Sequence, residues 1–139
     1  MRSTLEGLAD KIADAVYYGY RGEQNVIAES NETQPWICFI DEINTGSGTS
    51  GDSHVVSFPT SFAFVKLVEL EGSSVENDEL MQDSYKKCTE MLNAIRKSGS
   101  FSKLPAWGMA KVQENEYDLN FIGWRINIDL TPVDFSGVS

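Results

Sequence analysis

Ile122-Gly123-Trp124-Arg125-Ile126-Asn127-Ile128-Asp129-Leu130 alternates without a break, apolar at every even position and small or polar at every odd one. A period of two is the mark of a strand with one face on a core. Pro132 follows closely and ends it, since proline has no N–H for a ladder. Upstream of Gly123 the apolar residues Leu119 and Phe121 fall on the opposite parity. This predicts either a bulge at Gly123 or a strand that changes which face it buries. Further back, residues 107–113 are a candidate strand and Glu114-Asn115-Glu116 a tight turn, so residues 107–131 read as a hairpin with a long final strand.

Before this hairpin, Met81, Tyr85, Cys88, Leu92 and Ile95 recur at helical steps, with Leu80 and Met91 beside them. Glu76, Asp78 and Glu79 stand at the N-terminal end and Arg96 and Lys97 at the C-terminal end, which suits the helix dipole. Gly99 is the natural stop, so the helix is placed over residues 78–97. A first helix is predicted over residues 4–18 from Leu5, Leu8, Ile12, Ala15 and Val16, with Ser3 and Glu6 as a capping box and Gly19 and Gly22 ending it.

Between the helices, residues 36–43 carry aromatic and β-branched side chains on both parities, as a strand covered on both faces does. Residues 44–53 are mostly Gly, Ser and Thr, the composition of a mobile connection. A second strand runs over about residues 55–70, with Phe62, Phe64, Val68 and Leu70 on one side and Ala63, Val65 and Leu67 on the other. Pro59 is expected to break or bend it. The order is thus α-β-β-α-β-β, an α+β fold with an antiparallel sheet of about four strands and two helices packed on it. One domain over residues 1–139 is expected, with a flexible loop at 44–54 and a loose tail at 133–139.

Composition narrows the function. The 11 Lys and Arg against 21 Asp and Glu leave a net charge of −10, which repels phosphate and argues against wrapping nucleic acid. The longest apolar runs fall far short of the roughly 20 residues that span a bilayer. No apolar segment follows Arg2 as a signal peptide requires, so the chain is expected in the cytoplasm where it is made. Cys38 and Cys88 have no Cys or His at metal-binding distance in sequence and read as packed free thiols.

The search for chemistry finds little. His54 is the only histidine and lies beside the Gly/Ser stretch, where nothing fixes it as a general base. Serine or cysteine catalysis would need that same histidine. Residues 46–51 have the glycines of a phosphate loop but not its lysine or its following helix. Asp41 and Glu42, and the group Glu114, Glu116 and Asp118, read as solvated carboxylates at strand ends. Trp36, Trp107 and Trp124 would suit base stacking only beside a basic groove, so core packing is their expected role. No catalytic residue, cofactor or metal is expected. The outward series of the last strand, Arg125, Asn127 and Asp129, is left as a plausible subunit contact.

The layout as a whole resembles the tail terminator (tail-completion) proteins of long-tailed bacteriophages. The likeness runs through the N-terminal helix, the strands at 35–43 and 58–70, the acidic-to-basic helix at 78–97 and the Gly-centred closing strand at 117–130. It implies a structural virion protein of the tail or neck, assembled in the host cytoplasm as a ring, in that family usually a hexamer. Its implied partners are further copies of itself, the tail tube protein and a head-completion or connector protein. DNA would only pass through the lumen, and no membrane is involved. A different expectation is a small acidic binding module, such as a toxin immunity protein that meets a basic partner.

Overall fold

The structure, a computed structural model, describes residues 2–19, 36–43, 46–49, 55–67, 74–102, 106–112 and 121–132. In chain order its elements are α1 (Arg2–Asp10), β1 (Ala15–Gly19), β2 (Ile37–Asp41), β3 (Ser47–Thr49), β4 (Val55–Leu67), α2 (Ser74–Lys97), β5 (Trp107–Lys111) and β6 (Phe121–Leu130). The main sheet runs β1-β2-β4-β6-β5, and β3 pairs with β4 beside it. All neighbours are antiparallel except β1 and β2, which are parallel.

The α+β class therefore holds, while the purely antiparallel sheet of about four strands becomes a mixed sheet of five. The added strand is β1, cut from the first predicted helix. That helix stops at Asp10, where the amides of Ile12 and Ala13 both fold back to the Ala9 carbonyl at 2.9 Å. Asp14 then turns the chain into the sheet: its carboxylate accepts the Trp36 amide at 3.0 Å, and its own amide donates to the Trp36 carbonyl. Ala15 and Val16 kept the helical spacing going, but Val16-Tyr17-Tyr18 prefers a pleated surface and pairs with Cys38-Phe39-Ile40. Glu6 pairs with Arg2, not with a capping Ser3, which lies inside the helix.

β2 is enclosed on both faces, as its sequence foretold. It forms the expected antiparallel pair with β4, in the register Ile37↔Val65 to Ile40↔Phe62. Pro59 does not break β4. It lies opposite Asp129 in an unbroken ladder to β6, in a part of β4 between the residues paired with β2 and those paired with β3. A residue with no N–H is tolerated where one side of a strand lacks a neighbour. Ser47–Thr49, from the stretch read as connection, pairs with Val55–Ser57, and residues 44, 45 and 50–54 lie outside the described residues. So do the turn at 114–116, residues 117–120 and the tail at 133–139.

Gly123 carries no bulge. The β4–β6 register passes through it without an extra residue, from Phe58↔Leu130 to Leu67↔Phe121. Glycine is needed there because a Cβ would overlap the carbonyl of Phe64. The sheet also buries its face away from the helices, where Ile37, Phe39, Ala63 and Val65 form a second cluster.

Both helices pack on the other face, over Cys38, Ile40, Phe62, Phe64, Ile126, Ile128 and Leu130. α2 buries Cys88, Leu92 and Ile95 of the predicted stripe with Met91 beside them, but takes Ser84 into the core while Tyr85 is half exposed. Gly99, at φ +72°, ends it in the left-handed conformation that glycine adopts most readily.

Candidate interaction surface

The face of the sheet away from the helices carries the outward series of β6. Asn127 and Asp129 are exposed as alternation predicted, but Arg125 is only 3% exposed. Its Nη1 donates to the Asp41 carboxylate at 3.1 Å and to the Ser61 hydroxyl at 3.0 Å, so β6 reaches across β4 to the end of β2. Burying a guanidinium is costly unless it is paired, and this pairing fixes it inside the protein. Of the three predicted contact residues, Arg125 is therefore a buried link, and Asn127 and Asp129 remain at the surface. The latter two line a shallow cleft of about 350 Å³ with Pro59, Thr60, Ser61, Ala106 and Ile128.

Ser84 is the buried polar residue that helical spacing alone did not reveal. Its hydroxyl donates to the Phe64 carbonyl at 2.6 Å and accepts the Trp124 amide at 2.9 Å, joining α2 to the two central strands. These strand groups lie beside Gly123, whose missing side chain lets the backbones approach closely. The only sequence signal was a serine in phase with Cys88, Met91 and Ile95.

The groups weighed for catalysis do not come together. Asp41 is committed to Arg125. Cys38 and Cys88 are free and buried, and burial pushes the Cys38 thiol well up and that of Cys88 up to about 12. A thiol held protonated is a poor nucleophile and metal ligand. His54, Glu114, Glu116 and Asp118 lie outside the described residues. Among the described residues there is no cluster of His, Cys, Asp or Glu able to hold a metal, and no helix is long and apolar enough to cross a membrane.

Among the described residues, β5 at the end of the sheet has four of its five residues exposed. α1 lies toward β1, and α2 lies over β4 and β6, so the helix side of β5 extends past both helices. Residues 107, 109 and 111 face that side, because they pair with Ile128, Ile126 and Trp124. Met109 is partly packed on the core, while Trp107 and Lys111 are exposed. Tyr85 and Trp107, exposed by 50% and 44%, are the large hydrophobic side chains that stand clear of the core among the described residues.

Tyr85 sits nearly opposite Lys87 around α2, at about 100° per residue. Lys87 reaches toward α1, donating to the Ile12 carbonyl at 3.4 Å. Tyr85 therefore lies on the β5 flank of the helix. The charge of this region is also distinctive: no Asp or Glu occurs between Glu90 and Glu114, while Arg96, Lys97, Lys103 and Lys111 do. Sequence reading by motif passed over this acid-free stretch because its charges belong to a helix end and a separate strand.

No protein-family model matches the chain, and no match is found among curated proteins.

Proposed function

We propose that the protein is a structural assembly subunit of a bacteriophage tail, a tail terminator or head–tail connector component that forms a ring at the end of the tail tube and joins it to the head. The observation that carries this reading is the β5 edge, which among the described residues pairs with β6 alone and exposes Trp107. A strand edge of this kind is a surface for another protein. The layout resemblance supplies the particular assembly. The net charge of −10 suits a passage through which DNA moves without being held.

In this role the chain works by fitting between partners and not by turnover. Its partners are copies of itself, the tail tube protein and a head-completion or connector protein, with DNA inside the lumen and the virion neck as its location. The test is to mix the full chain with tubes of the cognate tail protein and image the ends by electron microscopy. Density capping the tube ends, and the protein's presence in purified particles, are expected. Bare tube ends together with absence from the particles would overturn the reading.

A further inference from the structure

Residues 2–18 satisfy two patterns at once. Leu5, Ala9, Ile12 and Val16 recur at steps of four, three and four, with Asp10, Lys11 and Asp14 on the opposite side, as along one unbroken helix. By composition Val16-Tyr17-Tyr18 suits a strand, and the structure takes that option, with α1 ending at Asp10 and β1 lying beside β2. The break between the two is slight. The Ala13 amide still donates to the Ala9 carbonyl, four residues back, at 2.9 Å, which is the bond of a continuing helix.

The hold on β1 is also limited. It lies at the end of the sheet and pairs in parallel, the less stable geometry per residue, and four of its five residues are only partly buried. Two side chains fasten its ends to the flanks of β2. The Asp14 carboxylate accepts the Trp36 amide at 3.0 Å, and the Tyr18 hydroxyl accepts the Ile43 amide at 2.7 Å. A helix over the same residues would break both bonds.

We propose that β1 is a conditional edge strand, which leaves β2 by refolding as a continuation of α1 and so controls whether that edge of β2 is capped or open. Val16 is sheltered in both states, on the helix side of the sheet now and in line with Leu5, Ala9 and Ile12 after the change. The helical state gives up both fastenings and the contact of Tyr17 with Phe39, and it gains about two turns over residues 11–18. Two packings of one segment this evenly matched are the raw material of a switch. A sheet edge capped by the chain's own strand is shielded from strand addition by other chains, so β1 acts as an autoinhibitory strap. The device is independent of the tail assignment.

The test reads Cα chemical shifts and amide exchange of residues 11–19 in the full chain by NMR. The wild type should show strand shifts at 15–19, with amides that exchange at least about 100-fold faster than those of β4 and β6, through an opening that leaves the rest folded. Asp14→Ala with Tyr18→Phe removes both fastenings and should move the shifts of residues 14–18 to helical values, while β4 and β6 keep theirs. Tyr18→Phe alone, a milder change, should move them part of the way. Val16→Cys opposes the switch, because position 16 pairs with Cys38 and an oxidised cross-strand bond would hold β1 in place. In that oxidised chain, exchange at 15–19 should slow by about tenfold or more, and reduction should restore it. Strand or random-coil shifts in both fastening variants would overturn the switch. So would exchange of 15–19 in step with β4 and β6, or exchange that the cross-link leaves unchanged.

Discussion

β2 and β5 are both five residues long and belong to one sheet, yet they meet opposite conditions. β2 lies second from one end, between β1 and β4, and its first four residues are buried. β5 is the other end, and four of its five residues are exposed. Hydrophobicity does not explain the difference, because β5 carries Trp107 and Met109. Position does: β2 has a strand on each side and cover on each face, whereas β5, among the described residues, has one neighbour and extends past the helices. A strand's sequence says what it can bury, and its place in the order says what it does bury.

The contrast is broken most directly by truncation. Phe39→Ala should cost about 3–5 kcal/mol of stability, because it removes a fully enclosed ring that touches Tyr17 across the parallel pair. Trp107→Ala, a larger deletion, should cost under about 1 kcal/mol, as surface changes do. Denaturant unfolding of the two variants decides it, and similar losses would show that β5 is as enclosed as β2.

Next in size is the link that ties the end of β2 across the sheet. Arg125→Ala should destabilise by about 3 kcal/mol, since breaking a buried pair leaves the other charge uncompensated. The Asp41 side chain keeps 25% exposure, which places the loss at the lower end of that class. An unfolding midpoint unchanged from wild type would mean that Arg125 is solvated like its neighbour Asn127.

The last effect is alkaline and vanishes below pH 9. Burial pushes the Cys88 thiol up to about 12 in the folded chain, against 9.0 for the ordinary group. A raised folded pKa gives stability that is complete below the unfolded value and is lost as pH rises through the folded one. Unfolding free energy should therefore fall between pH 9 and about 12, with Cys38 contributing in the same direction. A Cys88→Ala variant should show a shallower fall, and an identical slope would deny that burial holds the thiol protonated.

Much of this architecture was written in local pattern. β2, β4, α2 and the alternation of β6 follow from periodicity, and Gly99 from helix-ending chemistry. What escaped depended on distant partners. β1 continued the helical spacing of Leu5, Leu8 and Ile12, and only the links from Asp14 to Trp36 and from Tyr17 to Phe39 make it a strand. Arg125 sits on the polar parity and is buried because Asp41 and Ser61, from other strands, enclose its charge. Tyr85 matched an apolar stripe, but Ser84 took the core position because two central strands offered it backbone partners. The β5 edge was legible as a strand and not as an open surface, since exposure depends on where the helices stop.

The order of the strands also sets a sequence of events in time. β6 is the last of these elements to leave the ribosome, yet it lies between β4 and β5 and holds both. Its partners in β4 were made long before, as the hydrogen bond between Ser57 and Thr131 illustrates across 74 positions. Pairings so distant in sequence slow folding, because the chain must close a large loop before any contact rewards it. Until β6 arrives, β5 has no strand to lie against, and a nascent chain cannot display it in register. The β5 edge is thus completed only when the sheet is, so an unfinished chain does not present it.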